Sequence, residues 1–180
     1  MADIKMAGFG GQGILTAGKI LIHIAAQQGK EVCWTSSYGA AMRGGTASCT
    51  VIISDDEVGT PYPAKLDILL AMNGPSFEKY KGDVRKGGTI ILNSSLIDAG
   101  ELPKGVTVVA VDATNQAIAL NNERGANIVM LGAMMRATGL IDSQEFGVGL
   151  TQYFEKKGRH NPSNDACYQF GVDHCVITKT

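Results

Sequence analysis

The sequence predicts an α/β fold: a single domain over residues 1–180, in which a mostly parallel sheet lies between helical layers and the C-terminal third is helical. An apolar run, IKMAGF, ends in glycines and passes directly into a helical pattern. From Leu66 onward, buried-strand signals alternate with helix signals. The last third carries start and stop signals for successive helices.

The first helix follows the glycines with Ile14, Gly18, Leu21, Ile22 and Ala25 on one face, and Gly29 is placed to stop it. Lys19, His23 and Gln27 share the opposite face, so His23 is expected in solvent rather than as a ligand. EVCWTSS and TASCTVIIS are both strand-like, and the stretch YGAAMRGG between them leaves no room for a crossover helix. That pair should be antiparallel or irregular.

LDILLAM reads as a buried strand, with Pro75 opening a helix. TIILN and VTVVAV are further buried strands. Helical periodicity runs from Asp112 to about Asn122 and from Asn127 to Thr138, where Gly139 provides an end. Asp142 with Glu145 forms a capping-box pattern for a helix to about Lys157, and Asn161-Pro162 starts the last one. Met130, Met134 and Met135 fall in a helical segment and are assigned to packing.

At 180 residues the chain can bury a core without staples. Hydrophobic residues make up 44% and charged residues 18%, which argues against disorder. Lys plus Arg (16) nearly balances Asp plus Glu (17), removing the basic footprint of a nucleic-acid binder. There is no basic segment leading into an apolar stretch at the N-terminus and no apolar window long enough to span a bilayer, so a cytoplasmic location is expected and no membrane partner. Cys33, Cys49, Cys167 and Cys175 are widely spaced, and they are read as buried free thiols rather than cluster or zinc ligands.

Gly8-Phe9-Gly10-Gly11-Gln12-Gly13 satisfies G-x-G-x-x-G between a strand and a helix, the context of a Rossmann-like three-layer fold. Its glycines let backbone approach a phosphate at a helix N-terminus. They can equally serve only a tight turn and close helix–sheet packing. A dinucleotide enzyme also needs an acid after the second strand, where Ser36, Ser37 and Tyr38 stand instead. The following loop sets Arg43 beside Gly44 and Gly45, with Tyr38 five residues earlier. It should leave the sheet at the same carboxyl edge as the glycine turn. Arg43 can hold a phosphate or carboxylate there, or pair with local acids and carbonyls. Asn73, Ser94 and Asp112 also follow strands, as ligand contacts or as caps. No Ser/His/Asp set, Cys/His set or carboxylate pair can be assembled, and no catalytic or metal residue is assigned.

GFGGQGILTAGKIL followed some 25 residues later by SYGAAMRGGTASC resembles the gamma subunit, or gamma domain, of the 2-oxoacid:ferredoxin oxidoreductases. LAMN at Asn73, KGGTIILNSS around Asn93, and Asn164-x-Ala166 with Gly171 extend the resemblance over nearly the whole chain. It implies a subunit inactive alone, in a complex that decarboxylates a 2-oxoacid on thiamine diphosphate, passes electrons through iron–sulfur clusters to ferredoxin and releases an acyl-coenzyme A. The implied partners are thiamine-diphosphate-binding alpha and beta chains and a ferredoxin-like chain, which hold the thiamine diphosphate and the clusters. The resemblance is closer to the 2-oxoglutarate or ketoisovalerate branch than to the pyruvate branch. The expected contact set toward coenzyme A or partner subunits is Gly8, Gly10, Gly11, Gln12, Gly13, Tyr38, Arg43, Gly44, Gly45 and Asn73. The alternative is a free-standing nucleotide-binding or ligand-sensing protein. An isolated subunit could also self-associate through an apolar face that otherwise meets a partner.

Overall fold

A computed structural model describes residues 1–38, 46–98 and 100–180, with the backbone alone for Tyr38. The elements are β1 (Ala2–Phe9), α1 (Ile14–Gln27), β2 (Glu31–Tyr38), β3 (Thr46–Ser54), β4 (Leu66–Ala71), α2 (Gly74–Tyr80), β5 (Val84–Asn93), β6 (Thr107–Val111), α3 (Ala113–Ala119), α4 (Ala126–Thr138), α5 (Ser143–Lys156), α6 (Pro162–His174) and β7 (Val176–Lys179). The strands form a seven-stranded sheet in the order β2-β3-β1-β4-β5-β6-β7.

The body of the sheet is parallel: β1, β4, β5 and β6 run side by side in one direction. Antiparallel strands flank it. β3 pairs with both β1 and β2, so β2 runs parallel to β1 with β3 lying between them. The short connection after β2 forces this pairing, because a parallel neighbour requires a crossover. β7 adds an antiparallel edge beside β6. Nothing in the sequence marks β7, because a four-residue run directly after a helix is too short to show a period.

Strands buried on both faces explain the continuous apolar runs. Ile68, Leu70 and Ile91 face α1 and α4, whereas Leu69, Ile90 and Leu92 pack with Phe77 of α2 on the opposite side. The larger core lies under α1 and α4. Helix α4 is buried from Ala126 to Met135, and Met130, Met134 and Met135 are packing residues. It meets α6 through glycines: a Cβ added at Gly171 would fall 1.9 Å from the Val129 carbonyl oxygen. Gly139 ends α4 in the left-handed conformation.

His23 departs from its expected place. It is half-buried, and its ring meets Tyr153 of α5 edge-on at 5.2 Å. Helix α5 reaches the His23 position of the outer face of α1, while Lys19 and Gln27 on that face stay exposed. Asp142 caps α5 by accepting from the Gln144 and Glu145 backbone N–H groups, while the Glu145 side chain accepts from Gln28 at the end of α1. All four cysteines are free, Cys49 and Cys167 buried and Cys33 and Cys175 half-buried. Among the described residues, no helix is long and apolar enough to cross a membrane.

Candidate functional site

The carboxyl ends of β1, β4, β5 and β6 lie along one edge, with Ala71 level with Ala7 and Leu92, and Asn93 level with Val111. The glycine turn occupies this edge. Gln12 N–H closes the turn on the Phe9 carbonyl at 3.2 Å, Gly11 has φ +100° and Gly13 φ +75°, conformations that L side chains rarely adopt. Gly8 answers a different need, since a Cβ there would fall 2.7 Å from Gln12 Oε1 and 2.9 Å from Met72 Cβ. Gly10 faces open space.

Gln12 holds the turn to the sheet. Its Oε1 accepts from the Phe9 backbone N–H at 2.7 Å and from Asn73 Nδ2 at 3.1 Å. Asn73 is 2% exposed, and its Oδ1 accepts from Ser76 N–H, capping α2. Both ends of the Asn73 amide are thus engaged inside the protein, one on the turn and one on the start of α2. Asn93, fully buried, donates to the Met72 carbonyl and to Thr114 Oγ1. Ser95 donates to Asp112 and accepts from the Thr114 and Asn115 N–H groups, so it caps α3. Hydrogen bonds from Ser95, Gln116 and Asn115 hold the Asp112 carboxyl below the ordinary carboxylate value against the opposing effect of burial. Ser94, also picked out from the sequence, uses its backbone N–H to reach the Val111 carbonyl.

The caps separate the helices into two groups. Side-chain oxygens cap α2, α3, α5 and α6, from Asn73, Ser95, Asp142 and Asn161 respectively. Helices α1 and α4 begin at Gly13 and Gly125, have no side-chain cap and carry no acid in the first turn. Their free N–H groups and partial positive charge favour an anion. The two helix starts meet at the glycine turn, where Asn127 Nδ2 donates to the Gly13 carbonyl at 3.0 Å.

Two clefts open at this junction. One, of about 450 Å³, is lined by Gly11, Gly13, Thr16, Asn122, Arg124 and Asn127 among others. A smaller one of about 150 Å³ is bordered by Gly11, Gln12, Leu96, Thr114, Arg124 and the carboxylate-bearing Glu123, among others. Arg124 is exposed and reaches both clefts. Asn127 is 3% exposed, and its Oδ1 has no hydrogen-bond partner. A buried acceptor without a partner costs about 1–3 kcal/mol.

Of the expected contact residues, Gly11, Gln12 and Gly13 line the clefts, while Gly8 and Asn73 support them from behind. Arg43, Gly44 and Gly45 lie outside the described residues, as does the Tyr38 side chain. The strands that carry this loop are placed: Tyr38 pairs with Ala47, Ala47 with Gly8 and Thr46 with Phe9. Its two ends therefore sit at the glycine-turn edge. Arg124, Asn127, Asn93 and Thr114 were not singled out as contacts from the sequence. The glycine at position 125 ahead of an uncapped helix was the available signal for the first two.

The edge does not suit a dinucleotide in the usual manner. In that arrangement the second strand lies beside the first and ends in an acid, whereas here β3 intervenes and β2 ends in Ser36-Ser37-Tyr38. Among the described residues, no three His, Cys, Asp or Glu side chains converge to hold a metal.

The fold and edge together define a mixed-sheet α/β protein with an anion-compatible carboxyl edge built around a glycine turn. Residues 3–173 match the model of the pyruvate ferredoxin/flavodoxin oxidoreductase family, and the chain belongs to that family. It is 36% identical over 172 residues to the ketoisovalerate oxidoreductase subunit VorA of Methanothermobacter marburgensis, covering 94% of this chain and 36% of that protein. The chain thus spans about a third of that relative. With the 2-oxoglutarate synthase subunit KorC of Methanocaldococcus jannaschii, identity is 37% over 145 residues, covering 79% of this chain and 78% of the relative. The crystal structure of a keto/oxoacid ferredoxin oxidoreductase gamma subunit from Geobacter sulfurreducens superposes with TM-score 0.79 at 30% identity, covering 96% of this chain and 97% of that one. A 2-oxoglutarate:ferredoxin oxidoreductase from Magnetococcus marinus, solved with 2-oxoglutarate, coenzyme A and succinyl-CoA, superposes with TM-score 0.83 at 26% identity over 95% of this chain and 30% of that one.

Proposed function

We propose that this chain is a gamma-type subunit of a thiamine-diphosphate-dependent 2-oxoacid:ferredoxin oxidoreductase, a single domain over residues 1–180 that is inactive alone. The assembled cytoplasmic complex oxidatively decarboxylates a 2-oxoacid to an acyl-coenzyme A. Relatives named for 2-oxoglutarate and ketoisovalerate favour those two substrates over pyruvate.

The observation that carries the reading is the pair of uncapped helix starts meeting at the glycine turn beside Arg124 and the orphan Asn127 acceptor. Coenzyme A brings phosphates and an adenine amine. Its phosphates fit the free N–H groups and Arg124. Arg43, Gly44, Gly45 and Tyr38 supply further contacts from the loop whose ends reach the same edge. The chain's part is to bind and orient the acceptor of the acyl group. Thiamine diphosphate and iron–sulfur clusters belong to alpha, beta and ferredoxin-like partner chains, toward which Phe9 and Leu96 present exposed apolar surface at 37% and 50%.

An affinity-tagged chain expressed in its native source should recover a thiamine-diphosphate protein and a ferredoxin-like chain, identified by mass spectrometry. Recovery of the tagged chain alone, or 2-oxoacid oxidation by the isolated chain, overturns the reading.

A further inference from the structure

Strand β2 is an edge of the sheet, eight residues long, and among the described residues nothing pairs with its outer side. Its sequence, EVCWTSSY, contains no proline or lysine, and its one charge is Glu31 at the first position. Long edges are ordinarily protected by such residues or by a covering element. This one offers a ladder of backbone groups to another strand.

Beside it lies a cleft of about 380 Å³ between α1 and α5. Its apolar lining comes from Ile22, Ala26, Val32 and Tyr153. Lys19, Lys156 and Lys157 rim it, and no carboxylate lines it. The ammonium groups of Lys19 and Lys157 lie over the Trp34 and Tyr153 rings at 5.4 and 4.1 Å, and none of the three lysines forms an ion pair among the described residues. Val32 and Trp34 have the same parity on β2, and both pack on the α1 side.

We propose that a partner chain adds an extended segment to the outer edge of β2, its cleft-facing positions i, i+2 and i+4 reading acidic, apolar, acidic. A strand added about 4.8 Å from β2 places alternate side chains next to Val32 and Trp34, over this cleft. The central apolar side chain meets the Ile22, Ala26 and Val32 surface. The flanking carboxylates meet the lysines. The inference rests on the subunit reading only for the existence of a partner chain.

Trp34 is the one tryptophan in the sequence and sits on the edge concerned, so it reports directly. The purified full chain is titrated with a blocked seven-residue peptide bearing threonine at odd positions and glutamate, valine and glutamate at even ones. A second peptide carries lysine in place of glutamate. The acidic peptide is expected to shift Trp34 emission saturably and to slow amide exchange across residues 31–38, and Lys19→Glu/Lys156→Glu/Lys157→Glu should weaken it about tenfold or more. Absence of saturable binding, equal binding of the lysine peptide, or protection elsewhere than β2 overturns the proposal. So does recovery of partner chains in wild-type yield by the tagged triple variant. If the tagged wild type recovers no other chain, the subunit reading fails, while the peptide titration still decides what the edge binds.

Discussion

Asn127 Nδ2 lies 3.0 Å from the Gly13 carbonyl oxygen and ties the start of α4 to the turn that opens α1. The same amide leaves no room for a side chain, because a Cβ on Gly13 would fall 2.6 Å from Asn127 Nδ2. Gly13→Ala combines this clash with a left-handed backbone and should destabilise the chain by more than the ~1 kcal/mol of the backbone alone. In an Asn127→Ala background the clash is gone and only the backbone penalty remains. Urea midpoints for the two single variants and the double variant check this, and additive effects would contradict it.

Helices α4 and α6 should be the most size-sensitive contact in the molecule. Added Cβ atoms at Gly171 and Gly132 would stand 1.9 Å from the Val129 carbonyl oxygen and 2.2 Å from the Tyr168 carbonyl oxygen, against backbone that cannot rotate away. Gly171→Ala should cost about 1–3 kcal/mol or more, whereas Gly59→Ala, in open space, should be near neutral. Thermal unfolding of the two variants makes the comparison.

Acid should loosen the anchoring of α3. Ser95, Gln116 and Asn115 stabilise the charged form of Asp112, so its folded value lies below the ordinary carboxylate value. A depressed folded value contributes stability that is present above the ordinary carboxylate value and is lost as pH falls through the folded value. Asp112→Asn should therefore unfold more readily at neutral pH and show a smaller further loss on acidification than the wild type. Urea midpoints at neutral and acid pH test both signs. Because the carboxyl is only partly buried, the effect is partly screened and should shrink in high salt.

Burial raises the Cys49 thiol to about 11, so at neutral pH it is both protonated and enclosed. A thiol reagent should leave Cys49 unmodified in the native chain and modify it after denaturation. Cysteine-resolved mass spectrometry provides the readout.

Much of the edge was legible because it is written in backbone chemistry. Glycines after a strand, an asparagine before Pro75 and an aspartate after β6 each mark a turn or a helix start, and all fall at the carboxyl edge. The short span between β2 and β3 likewise dictated their antiparallel pairing. What escaped depends on contacts between elements distant in sequence. Arg124 borders the glycine turn only because α4 packs beside α1, and Asn127 reaches Gly13 across 114 positions. His23 is half-buried only because α5 folds against α1. Such relationships carry no local periodicity, and a single charged residue before a helix resembles any solvated one.

The division of roles at this edge gives the most direct test of the account. Arg124 is exposed, reaches both clefts and forms no ion pair among the described residues, so Arg124→Ala should leave folding and assembly intact. In the complex assembled with its partner chains, the variant should raise KM for coenzyme A about tenfold, the loss of one charge-assisted phosphate contact, with KM for the 2-oxoacid unchanged. An unchanged KM for coenzyme A in the fully assembled variant would contradict the assignment of this edge to coenzyme A.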